Sequence, residues 1–267
     1  MNKIIKDIWN FRDKKIPKTS VGLRNKIDDY IYIEIEENNQ HKEDLVSLHD
    51  YGIKGINHYH AEWNPPYYNS IPGSIPQLLA RRTLAEKMAN INKELKEIGL
   101  ELFVFDAYRP IDVQNHFYFE EMPKLIRKLY PYLSKEEARE KVKEYWAPGS
   151  KTKEQLEKNI PPHLTGGAVD LTLSHIKSGQ LLEMGTIFDD ISERSHLDYF
   201  EKMEKEKLGF TETEAKKNRR LLYNIMDSAD FSCNPKEWWH FSFGDQMWAF
   251  LKGKEKAFYG MAHIIEK

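Results

Sequence analysis

Pro161-Pro162-His163-Leu164-Thr165-Gly166-Gly167-Ala168-Val169-Asp170-Leu171-Thr172-Leu173 sets an imidazole and a carboxylate seven positions apart, with two glycines between them. Glycine has no Cβ, so Gly166 and Gly167 permit a turn or bulge that swings His163 toward the side on which Asp170 projects. From Gly167 to Leu173 the residues read as a strand. Ala168, Asp170 and Thr172 share one face, and Val169, Leu171 and Leu173 share the other, which is apolar and expected to be buried. A carboxylate beside such a strand is costly to desolvate alone, so a cation is its economical partner. A plain salt bridge is the alternative.

Glu237-Trp238-Trp239-His240 supplies a second imidazole and carboxylate, three positions apart and framed by aromatics able to exclude water. In a regular strand from Glu237 to Phe243 the two polar side chains would face opposite ways. They converge only if Glu237 lies before the strand or at its start, which Pro235 favours because proline opposes ladder pairing. His163, Asp170 and His240 with a water in fourth place then make a catalytic zinc set. Glu237 is the spare carboxylate, suited to taking a proton from that water and passing it to a leaving amine. Of ten histidines, only His58 and His60 offer a rival pair, two apart on one strand face. No carboxylate joins them at useful spacing.

The surrounding elements mix helices and strands without regular βαβ alternation, which predicts an α+β fold. Pro76 suits a helix's first turn, and Leu84, Met88, Ile91, Leu95 and Ile98 form one apolar face before Gly99 ends it. Leu100 to Phe105 reads as a buried strand, with Asp106-Ala107-Tyr108-Arg109-Pro110 at its exit. Ser134 with Glu137 and Thr211 with Glu214 are capping-box patterns, the first for a helix to about Trp146. Leu221, Leu222, Ile225, Met226 and Ala229 behind the second are a core-packing face. Residues 64–76, rich in proline, are a long ordered loop. Residues 1–45 read as an N-terminal extension with one strand-like patch, Tyr30 to Ile35, and residues 46–267 as the catalytic domain.

The 267-residue chain carries 40 Lys plus Arg against 42 Asp plus Glu, a formal charge of −2, so no long-range field draws in nucleic acid or an anionic membrane. Cys233 is the single cysteine, which leaves His and carboxylates to build any metal site. A thiol nucleophile has no supporting pattern. The N-terminus lacks an apolar stretch of signal-peptide length and nothing approaches a membrane span, so a cytoplasmic protein is expected.

At these residues the sequence resembles the D-alanyl-D-alanine dipeptidases, the VanX-like zinc peptidases, whose pattern is His, six residues, Asp, then Glu-x-x-His. Further words are similar: Asp106-Ala107-Tyr108-Arg109-Pro110, Met184-Gly185-Thr186 with Phe188-Asp189, Glu193-Arg194-Ser195-His196, and Asn218-Arg219-Arg220. The resemblance, covering roughly Arg81 to Phe243, implies a hedgehog/DD-peptidase-like fold, a central antiparallel sheet flanked by helices with the site in a groove. It implies one zinc per chain on His163, Asp170 and His240, Glu237 as base, and hydrolysis of D-Ala-D-Ala to two D-Ala, in cell-wall metabolism. It assigns Arg109 to the oxyanion, with an ion pair to Asp106 as the alternative, and Asp189 to the substrate's ammonium. Two rivals are carboxypeptidase or endopeptidase action on longer peptidoglycan peptides, and a zinc-stabilised binding module without catalysis. Pro161 and Pro162 stand where the family commonly has Ser or Arg, and offer a substrate carboxylate no side-chain donor.

Overall fold

The structure, a computed structural model, describes residues 3–36, 42–143 and 146–264. Positions 1, 2 and 37–41 of the expected extension, with His41, and positions 144 and 145 of the expected helix toward Trp146 lie outside the described residues. Strands are β1 (Glu34–Ile35), β2 (Leu45–Ser47), β3 (Lys54–Gly55), β4 (Leu79–Arg81), β5 (Leu100–Asp106), β6 (Ala168–His175), β7 (Ser232–Cys233), β8 (His240–Ser242) and β9 (Lys256–Ala257). With the helices between them they make a mixed α+β fold. The largest sheet has the order β3-β5-β6-β8-β7. Its pairs are antiparallel except β3 with β5.

β6 is the middle strand, buried from Ala168 to Ser174, so the polar face of the predicted strand is covered as fully as the apolar one. The helix Arg82–Lys96 buries Leu84, Met88, Ile91 and Leu95, each worth about 1.5–3 kcal/mol against an exposed side chain. Its Asn92 side chain accepts from Leu102 N at 2.8 Å, fixing the helix on β5. Among the described residues no helix is long and apolar enough to cross a membrane.

Four local expectations differ from the structure. The helix starts at Arg82, because Leu79–Arg81 is drawn into β4, pairing with β2 and donating from Arg81 N to the Gly166 carbonyl. Of the strand-like patch, Glu34 and Ile35 form strand β1, while Tyr30 to Tyr32 end the 3₁₀ helix Arg24–Tyr32, whose Ile27 and Tyr30 cluster with Met247. Packing overrides β propensity there. The Thr211 capping box is absent: the helix Phe210–Ser228 starts after Gly209, Thr213 donates its hydroxyl to the Gly209 carbonyl and Glu214 pairs with Arg12. The Ser134 box is present, with both hydrogen bonds, on the helix Lys135–Val142. Finally, β8 starts only at His240. The described part of residues 1–45 lies against the rest, through Ser20 Oγ to Tyr223 OH at 2.6 Å, Gln246 Nε2 to the Ile33 carbonyl at 2.6 Å, and the pairing of β1 with β9.

Candidate active site

Sheet register brings the polar residues together. Asp170 on β6 stands opposite Asp106 on β5 and opposite His240 on β8, neighbours a few ångströms apart across the strands. His163 arrives from the 3₁₀ turn Pro162–Thr165, closed by Gly166 at φ +70°. A Cβ on Gly166 would run into Leu45, and one on Gly167 would stand 2.7 Å from the Phe243 carbonyl oxygen. Both glycines are therefore required, one for the left-handed turn and one for close approach to the chain leaving β8. Gly166→Ala is expected to cost about 1–2 kcal/mol of left-handed strain and to lower the thermal midpoint by several degrees. A midpoint equal to wild type in a melting experiment would refute this account of the turn.

His163 Nε2 lies 3.2 Å from Asp170 Oδ2 and 3.1 Å from His240 Nδ1, and His240 Nδ1 lies 3.1 Å from Asp170 Oδ1. All three side chains are buried. The outer ring nitrogens have partners of their own: His163 Nδ1 donates to the Ala107 carbonyl at 2.7 Å, and His240 Nε2 to Ser242 Oγ at 3.3 Å. Those bonds leave the inner nitrogens free to present lone pairs to one point, the outer-shell arrangement of metal-binding imidazoles. One ligand atom from each residue lies within 4.8 Å of the others, the one such cluster among the described residues. The donor set, two nitrogens and a carboxylate, suits a tetrahedral dication with its fourth position open. Burial opposes ionisation of Asp170, but His163 and His240 hold its carboxyl well below the usual range; burial also lowers His240, and Asp170 more than reverses this.

Glu237 sits in the turn before β8, its N–H donating to the Asn234 carbonyl, as convergence with His240 demanded. Its Oε2 is 3.8 Å from His240 Nδ1 and accepts from Asn234 Nδ2 at 3.1 Å. Burial pushes the carboxyl up, with Asp170 adding and His240 opposing, the direction that suits a general base. Arg109 does pair with Asp106, Nε to Oδ2 at 2.8 Å, yet its Nη2 also stands 3.3 Å from Asp170 Oδ2. The ion pair thus aims the guanidinium at the cluster, helped by Gln114 Oε1 at 3.1 Å and by the Tyr59 and Trp146 rings. Burial alone would lower the guanidinium's pKa, but Tyr59, Asp106, Asp170 and Asp189 hold it above its ordinary value.

Asp189, at φ +59°, is buried and accepts from Tyr59 OH at 2.8 Å and Tyr67 OH at 3.1 Å. Both donors are neutral. Burial, with the Asp170 charge behind it, pushes the Asp189 carboxyl well up. Asp189, Arg109, His163, Asp170, Glu237 and His240 all line one cavity of about 700 Å³.

Residues 73–258 match peptidase family M15, described as D-ala-D-ala dipeptidase. The chain belongs to the D-Ala-D-Ala dipeptidase family. It is 33% identical over 226 residues to a D-alanyl-D-alanine dipeptidase of Synechocystis sp., covering 78% of this chain and 85% of that protein. Against proteins of that name from Enterococcus faecalis and Streptomyces coelicolor the identities are 29% and 25%, over 64% of this chain and 76% and 75% of theirs.

Residues around the site have structural roles of their own. Arg219 donates to the carbonyls of Met184, Arg194 and His196, Asn218 to that of Glu183, and Trp238 to Thr186 Oγ1. Together they hold the 183–198 loop that carries Asp189. His58 and His60 do not pair: one ring contacts the Pro65 carbonyl and the other Ser74 Oγ. Cys233 is buried, and burial pushes its thiol well up, away from a nucleophile's range. Sequence reading missed Tyr59, Tyr67, Gln114 and Asn234. Tyr59 and Tyr67 precede the family match and reach Asp189 from distant segments, whereas Gln114 and Asn234 lie within five residues of Arg109 and Glu237, which they hold, at spacings that follow no known motif.

Proposed function

We propose that this chain hydrolyses D-Ala-D-Ala to two D-Ala with one zinc ion held by His163, Asp170 and His240. The observation carrying this reading is the convergence on one cavity of that buried donor set, a separate carboxylate, Glu237, and a fixed cation, Arg109. When bound, zinc supplies Lewis acidity and a water acidic enough to act at neutral pH. Glu237 takes the proton of the attacking water and returns it to the leaving amine. Arg109 stabilises the charge that develops on the scissile carbonyl oxygen. Asp189, whose hydrogen bonds come from neutral phenols, receives the substrate's ammonium and so favours a free N-terminus. A purely structural zinc site would need neither base nor guanidinium. Residues 46–267 form the catalytic unit in a hedgehog/DD-peptidase-like arrangement, supported by a site that spans β5, β6 and β8.

The test is D-Ala release from D-Ala-D-Ala by purified protein, with L-Ala-L-Ala as control. Activity is expected with zinc, is expected to fall to background on chelation, and to return on adding zinc back. Turnover undiminished by exhaustive chelation would sink the metal reading; activity only on longer stem peptides would move the substrate.

A further inference from the structure

A dipeptide zwitterion needs a cation at the end opposite its ammonium, and Pro161 and Pro162, which line the cavity, offer no side-chain donor. The cavity wall carries four Lys or Arg residues: Arg24, Arg109, Lys143 and Lys236. Arg109 is committed to Asp106, Gln114, Tyr59 and Asp170. Arg24 pairs with Asp198 and donates from Nε to the Pro235 carbonyl at 3.2 Å. Lys143, just past the helix Lys135–Val142, is half exposed and pairs with Glu140 of that helix. Lys236 differs from all three. Its nearest acid is Asp28 Oδ2 at 3.7 Å, beyond hydrogen-bond length, and the Asp28 side chain is 79% exposed whereas that of Lys236 is 26% exposed. Such a pair is weak and screened, so the ammonium keeps its three donors. Its backbone is fixed, N donating to Asn234 Oδ1 at 3.0 Å, on the same turn that bears Glu237.

We propose that Lys236 is a specificity-determining residue that holds the substrate's C-terminal carboxylate, with Asp28 as its counter-ion at rest. This rests on the dipeptidase reading. A carboxylate entering the cavity displaces Asp28 and forms charge-assisted hydrogen bonds that the exposed pair lacks. Lysine suits the task, as a compact charge on a flexible stem able to follow the leaving D-Ala.

The experiment measures kcat and KM of zinc-loaded, full-length protein on D-Ala-D-Ala and on its C-terminal amide, for wild type, Lys236→Met, Lys236→Arg and Asp28→Asn. In wild type the amide is expected to show a KM about tenfold or more above the acid's, the size of one charged hydrogen bond. Lys236→Met is expected to raise KM for the acid by a similar factor, with kcat moving far less, and to close the gap between acid and amide. Lys236→Arg should restore most of the preference, and Asp28→Asn should lower KM for the acid by removing a competing anion. A Lys236→Met protein that still prefers acid to amide as wild type does overturns the assignment. Should that variant not fold, wild type indifferent to amidation overturns it equally. Wild type inactive on both compounds brings down the dipeptidase reading, and the anchor with it.

Discussion

Glu237→Gln is expected to lower kcat on D-Ala-D-Ala by about 10²–10⁴-fold, the usual contribution of a positioned acid–base group, with metal content and KM near wild type. Glutamine keeps the volume and can still meet Asn234 Nδ2, which now holds Glu237 Oε2 at 3.1 Å, so the turn before β8 should survive. What is lost is the carboxylate beside His240, the proton acceptor of the proposed reaction. Because the carboxyl lies 3.8 Å from His240 Nδ1, outside the triad's 3.1–3.2 Å contacts, its removal should leave the metal content unchanged. Single-turnover kinetics with metal analysis would check both halves. A variant that retains more than a tenth of wild-type kcat removes Glu237 from the role of base. One that loses its metal makes Glu237 a ligand instead.

Arg109 carries the second large effect, with two separable parts. Arg109→Met leaves Asp106 buried without its cation, and breaking a buried pair from one side costs about 3–5 kcal/mol. The Asp106 Oδ1 atom already has no hydrogen-bond partner, and besides Arg109 only His163 Nδ1, 3.4 Å from Oδ2, faces the carboxylate among the described ion pairs. Catalysis should fall by about 10²–10³-fold, as for loss of one oxyanion donor. Arg109→Lys separates the two parts. A lysine retains charge for Asp106 and recovers much of the stability, but lacks the planar fork that reaches Asp106, Gln114, Tyr59 and Asp170 together. The expected outcome is a protein near wild type in denaturant titration yet still at least tenfold down in kcat. Full activity in Arg109→Lys would reduce the residue to a structural ion pair.

By itself the sequence determined the chemistry available and much of its local placement. Gly166 and Gly167 permitted the turn that swings His163 back toward Asp170. Alternation put Asp170 on the polar face of a strand. Convergence of Glu237 with His240 required Glu237 to precede its strand, as it does. These properties depend on backbone sterics and short-range periodicity, which neighbouring residues dictate. Tertiary structure decided the rest. Only the register of β5, β6 and β8 shows that Asp106, Asp170 and His240 stand side by side, and that Arg109's pair with Asp106 serves the site as well as competing with it. Only chain folding shows that Tyr59 and Tyr67 hold Asp189 from more than a hundred residues away, or that Asp28 of the N-terminal segment faces Lys236. Local reading likewise failed where long-range partners overrode it, at Leu79–Arg81 and at Tyr30 to Tyr32. A backbone donor or apolar side chain satisfied across the fold leaves no mark on its sequence neighbours, and a single chain offers no other place to read it.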